Sequence, residues 1–231
     1  PSTAETAGIQ NNTESPGGKV VSTPEPVWSR WEVLKTGSFW LLSLSLGINS
    51  MAFQGINISL APYIQDLGYG GTMLATVMTF RAAMAAVALP FMGFLAEHSH
   101  RVSVRVIPFV IQSIAVLLLM LAERPIFLWL GVALYGLGIS GVSITQEVIW
   151  ANYFGRLSLG TVRSLSYLVS FGFGAAGPVA ISLVFDSVGS YRPAFIVIIG
   201  FFALSALNMG TVRPPKAHRF ATVAEISGKA S

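Results

Sequence analysis

Arg81 lies near the middle of an apolar window, residues 67 to 96, in which it is the single charge, with Asp66 on one side and Glu97 on the other. A window of 30 residues is long enough to cross a bilayer, and about 14 residues on either side put the guanidinium near the hydrocarbon midplane. An Arg at that depth costs roughly 2.5 to 3.5 kcal/mol on insertion scales, so it should face protein, water or a ligand rather than lipid. Its chemistry is the holding of negative charge. In the preceding window, Ser43, Ser50, Gln54 and Asn57 follow spacings of 7, 4 and 3, which places them on one helical face with Asn49 beside it. Such a stripe reads as the wall of a wet cavity. The alternative is contact between helices, where an amide bond contributes about 0.6 kcal/mol on average. Arg81, Gln54, Asn57, Ser50 and Asn49 are the candidate solute contacts, with Tyr167 and Ser170 lower-ranked candidates on a later window.

Enzyme chemistry finds little support. Gly138-Ile-Ser140-Gly141 has the Gly-x-Ser-Gly spelling of rhomboid-type intramembrane proteases, but His98, His100 and His218 all fall outside the apolar windows, leaving Ser140 without a base. The same three scattered histidines cannot form the His-rich metal clusters of membrane desaturases. Zero cysteines exclude a disulfide scaffold, a Cys-ligated zinc and a thiol nucleophile. A Gly-rich Lys-Ser/Thr phosphate loop is absent as well. No catalytic residue, metal or cofactor is expected.

The elements that must position these groups follow from composition. At 53% hydrophobic and 10% charged, with mean hydropathy +0.66, the chain reads as an all-α membrane protein. Apolar windows run from 36 to 65, 67 to 96, 106 to 122, 125 to 146, 164 to 185 and 193 to 212, each at least 17 residues, which predicts six spanning helices over about 37–65, 68–96, 104–122, 125–149, 162–185 and 193–213. The third is the shortest. Lys19, Arg30, Lys35, Arg101, Arg105, Arg156, Arg163, Arg213, Lys216, Arg219 and Lys229 then fall on the side of the termini, and only Arg124 and Arg192 on the other. Eleven against two places both termini of this segment in the cytoplasm, and the plasma (inner) membrane is the expected location. These charges are scattered rather than patched, so the pI near 9.6 does not point to nucleic acid. Residues 1–26 are polar and predicted disordered, and 215–231 form a cytoplasmic tail. Between them and the first span, Trp28, Trp31 and Leu34 at spacings of three predict an amphipathic helix over 27–36 at the headgroups of the lipid bilayer.

The loop Gly93-Phe-Leu-Ala-Glu97-His-Ser-His-Arg101 resembles the Gly-x-x-x-acid...basic loop of the major facilitator superfamily, with His98 and His100 where Arg and Gly would stand. The stretch Ala151 to Arg163, containing Gly155, Arg156 and Gly160, the turn Asp186-Ser-Val-Gly189-Ser-Tyr191-Arg192 and the approach Leu34-Lys-Thr-Gly-Ser-Phe39-Trp40 are similar to that superfamily too. Their order resembles the carboxy-terminal six helices of a twelve-helix carrier, over roughly 27 to 214. The resemblance implies two inverted three-helix repeats, a midplane solute site between halves, and secondary active transport by alternating access. It also implies a missing amino-terminal six-helix half as partner, and a chain beginning at Pro1 without Met is expected to be truncated. The branch most similar is that of monocarboxylate or oxalate/formate carriers, which implies a small organic anion as substrate. Animal monocarboxylate carriers place Asp and Arg five and one residues before a Pro; counted from Pro90, Ala85 and Leu89 stand there, so the anion assignment rests on the charge of Arg81. A drug/proton antiporter of the same fold, and a transport-inactive scaffold or sensor, are the alternatives.

Remaining motifs take structural roles. Gly93, Glu97, Arg101, Gly155, Arg156, Arg163, Asp186 and Arg192 suit gating contacts at helix ends, with simple surface pairs as the alternative. Glu147 is expected to pair with a loop Arg such as Arg156. Gly131, Gly136, Gly138, Ser140, Gly141 and Ser143 suit close helix packing. Gly177 and Pro178 form either a hinge or a static contact.

Overall fold

A computed structural model describes residues 25–98, 102–215 and 220–221. After a two-residue strand β1 (Glu25–Pro26) come helices α1 (Arg30–Leu34), α2 (Gly37–Asp66), α3 (Gly71–His98), α4 (Val102–Leu119), α5 (Pro125–Phe154), α6 (Leu159–Val188) and α7 (Tyr191–Thr211), then a strand β2 (Phe220–Ala221) antiparallel to β1. Local chemistry sets several ends. Pro125 opens α5, where its missing N–H costs nothing. Gly155 (φ 76°) ends α5 and Gly189 (φ 68°) ends α6, both in the backbone region that glycine tolerates. The Ser190 hydroxyl caps α7 by accepting from the Arg192 N–H at 3.3 Å.

Among the described residues, five helices, α2, α3, α5, α6 and α7, are long and apolar enough to cross a membrane. The fourth predicted span corresponds to α5, and the short third one to α4, whose 18 residues rise about 27 Å. Successive helices alternate in direction. Tyr63 and Tyr69 donate to the carbonyls of Leu119 and Ala122 at one end, here termed distal. At the other, terminal end, the Ser38 hydroxyl donates to Arg213 O and the Tyr153 hydroxyl to Val212 O.

The packing has an internal symmetry. α2 rests on α6 and α7, α5 rests on α3 and α4, and α4 packs against α7. Exchanging α2 with α5, α3 with α6 and α4 with α7 leaves that pattern unchanged, while α2 and α5 run in opposite directions. Two triplets related by inversion produce this arrangement. The core divides by depth: Tyr63, Leu119, Leu128, Tyr135, Phe195 and Phe202 fill the distal part, and Phe39, Leu42, Trp150, Phe154 and Met209 the terminal part. α3 and α6 are the least buried spans and expose Phe91, Phe94, Leu168 and Phe171.

The lead-in differs from an amphipathic helix over 27–36. Only Arg30–Leu34 is helical, closed by a capping box between Ser29 and Glu32. Trp28 precedes that helix and is buried edge-on against Phe154 at 5.4 Å, with its backbone N–H donating to the Ser158 hydroxyl at 2.8 Å. Trp31 is 75% exposed. The two indoles therefore do not share a face, because a buried tertiary hydrogen bond and ring contact hold Trp28 in the core instead. The expectations for residues 1–24 and for most of the tail lie outside the described residues.

Candidate functional site

A cavity of about 680 Å³ opens between α2, α5 and α6, with α4 behind it. Ser50 of the α2 stripe and Asn49 beside it line the cavity, as does Tyr167 of α6. It also takes in Gln112, Ser143, Gln146, Ser164 and Ser170. Most of its lining is apolar, and none of the lining residues is charged. Gln112, on α4, is 1% exposed, and its Oε1, like Oδ1 of Asn49, is buried without a hydrogen-bond partner in the protein. Tyr167, Phe53 and Phe171 supply aromatic surface on the walls.

Arg81 and Asn57 sit apart from that cavity. From α3 the guanidinium reaches across to α2, where Nη1 donates to Asn57 Oδ1 at 2.6 Å. α2 and α3 otherwise scarcely touch. The backbone of Arg81 is held from behind by α5: a Cβ added at Gly136 would lie 2.6 Å from Arg81 O, so only glycine allows this approach. Ser140, one turn on, donates its hydroxyl to Ala85 O. Gln54 lies on α2 between the two places, exposed, with Cγ close to Gly174 of α6. Ser50 and Asn57 are seven residues apart, so the α2 stripe connects cavity and guanidinium over about 10 Å.

The terminal mouth of the cavity carries a second polar bridge. Arg163 Nη2 lies 3.0 Å from Glu147 Oε1, joining α6 to α5 beside the lining residues Ser164 and Gln146. The expected bridge from Glu147 to an arginine of the 151–163 stretch falls on Arg163 rather than on Arg156, because Arg163, one turn inside α6, stands across the gap from α5. Arg163 also stacks on the Tyr167 ring at 5.8 Å. On the distal side Arg192 pairs with Glu123 at 2.5 Å, both well exposed. Asp186 lines a small distal cavity of about 90 Å³ with Tyr191. A Cβ at Gly93 would meet open space. Arg101 and the side chain of Glu97 lie outside the described residues.

Gly177 is a contact point in this structure. A Cβ there would come 2.2 Å from Met51 O, and Gly55 faces it from α2 with its own Cβ position 3.6 Å from Gly177 O. α6 stays helical through Pro178. Gly131, Gly138 and Gly141 do the same for α5 against α4, whereas Ser143 faces the cavity. The lining residues Gln112, Gln146 and Ser164 were not among the sequence candidates. Gln112 carries the signal that marks Arg81, a long polar side chain in the middle of an apolar run. Among the described residues, no group of His, Asp and Glu could hold a metal ion.

A search of curated proteins gave no match. The family model of the Major Facilitator Superfamily matches residues 42–229, from within α2 through α7. With five helices among the described residues long and apolar enough to cross a membrane, the chain is an integral membrane protein and belongs to that superfamily of transporters.

Proposed function

We propose that this chain is one half of a secondary active carrier that moves a small organic anion by alternating access. The observation that carries the reading is the α2 stripe, which runs from an open cavity lined by Asn49, Ser50 and Gln112 to a midspan guanidinium that donates to the neutral oxygen of Asn57. A neutral acceptor leaves the positive charge uncompensated, and a carried carboxylate would supply what is missing. Under this reading α4 is the sixth span, the terminal end faces the cytoplasm, and a second six-helix unit covers the exposed faces of α3 and α6. The Glu147–Arg163 bridge would close the cytoplasmic mouth, opening when the halves rock.

A neutral, hydrogen-bonding solute is the second reading. It is favoured by one observation, the absence of any charged side chain among the residues lining the 680 Å³ cavity. Uptake by full-length protein in proteoliposomes separates the two, using labelled lactate, formate and oxalate against labelled glycerol and a hexose. Saturable uptake of the anions, lost in Arg81→Gln, supports the first reading. Uptake of the neutral solutes that survives Arg81→Gln supports the second. A drug/proton antiporter would instead move cationic dyes against a pH gradient, and a scaffold would move nothing while retaining a copurifying partner.

A further inference from the structure

A second cavity, about 400 Å³, lies at the terminal end where α3 and α4 diverge in front of α5. Ala96 of α3, Val104 and Arg105 of α4, Thr145, Asn152 and Tyr153 of α5, and Pro214 after α7 contribute to its wall. It shares no residue with the larger cavity. Arg105 is its only charge. The guanidinium donates through Nη1 to the Tyr153 hydroxyl, which in turn donates to Val212 O at 3.0 Å, and it lies 5.7 Å from the centroid of the Tyr153 ring. These partners are neutral. Nε of Arg105 is buried and has no acceptor in the protein.

A buried guanidinium N–H without an acceptor is unfavourable, more so than a neutral donor, because its charge is desolvated as well. Among the described residues, none of the pocket's other lining residues is acidic. Arg105 stands in the first turn of α4, which in a spanning helix is headgroup depth. α3 and α4 scarcely touch, and the apolar surface beside the gap includes exposed Phe94 and Ile107. A basic, partly apolar recess between helix ends at that depth matches a phosphate group carried on or near a bilayer. Bidentate geometry suits guanidinium to phosphate.

We propose that the Arg105 recess is a phosphate-binding site, taking the headgroup phosphate of an anionic lipid or a soluble phosphate. The site ties α3, α4, α5 and the segment after α7 together at one end, apart from the solute path.

The test uses full-length protein in detergent, titrated with phosphatidylglycerol, phosphatidylcholine or inorganic phosphate, and read by native mass spectrometry and melting temperature. Phosphatidylglycerol should be retained at least tenfold more strongly than phosphatidylcholine, and Arg105→Gln should remove the difference. Because that variant also loses the Tyr153 contact and can fold poorly, Asn152→Trp, at the exposed rim, serves as an independent block and should give the same loss. Stabilisation by inorganic phosphate that both variants abolish, without lipid preference, assigns the soluble source. Equal retention of both lipids with no phosphate effect, or anion binding unchanged in Asn152→Trp and in folded Arg105→Gln, overturns the proposal.

Discussion

Arg81 Nη1 donates to Asn57 Oδ1 at 2.6 Å, a bond from the second helix of one triplet back to the first. Arg163, on the second helix of the other triplet, reaches back to Glu147 on its first at 3.0 Å. The two bridges therefore occupy equivalent helix pairs under the exchange of α2 with α5 and α3 with α6. They differ in depth and in charge balance. Arg81 is the eleventh residue of α3 and meets a neutral amide; Arg163 is the fifth of α6 and meets a carboxylate. Under the proposed function the first would hold a passing anion and the second would close a mouth.

Arg81→Lys keeps the charge but loses the planar fork that reaches Asn57. Anion uptake should fall about tenfold, the equivalent of roughly 1.4 kcal/mol, with melting temperature nearly unchanged. Unaltered kinetics would remove Arg81 from the solute path.

Glu147 and Arg163 are 40% and 38% exposed at their side chains, so their pair should add less than about 1 kcal/mol to stability. Its effect should appear in access instead. Glu147→Gln is expected to raise thiol labelling of a single cysteine at Ser143 from the terminal side, and the swap Glu147→Arg with Arg163→Glu should restore the wild-type rate. Labelling that ignores all of these changes would show that the bridge guards nothing. The absence of native cysteine from this chain makes the experiment direct.

Gly177→Ala would push a methyl group to 2.2 Å from Met51 O, where α2 and α6 cross. Overpacking of this kind costs typically 1–3 kcal/mol, and the detergent melting temperature should drop by several degrees. Gly172→Ala, on the same helix with nothing within 4 Å of the new Cβ, should be nearly neutral. Equal effects at both sites would mean that helix flexibility rather than contact explains the glycines.

Ser170→Cys and Ser164→Cys, in the wall of the large cavity, should react with a membrane-impermeant thiol reagent, while Ala115→Cys, fully buried between helices, should not. Reversed reactivity would show that the cavity is dry in the membrane.

The all-helical membrane character was legible because charge sits at window edges: Asp66 ends α2 and Arg124 stands just before α5, with few charges between. Of the α2 stripe, Ser50 lines the cavity with Asn49 beside it, whereas Ser43 is fully buried and Gln54 and Asn57 lie outside that wall. What periodicity could not carry is which helix lies opposite. Gln112 and Gln146 join the same cavity from α4 and α5 only through tertiary packing, and Arg163 rather than Arg156 meets Glu147 for the same reason. Trp28 illustrates the limit from the other side, since a spacing of three suggested a common face with Trp31, yet the chain turns helical only after it.

The most direct measurement is counterflow in proteoliposomes of full-length protein. Vesicles preloaded with unlabelled lactate should take up labelled lactate transiently above equilibrium, with no ion gradient imposed, and Arg81→Gln should abolish the overshoot while remaining folded. No overshoot for lactate, formate or oxalate with folded wild-type protein would contradict the assignment of this chain to an anion carrier working by alternating access.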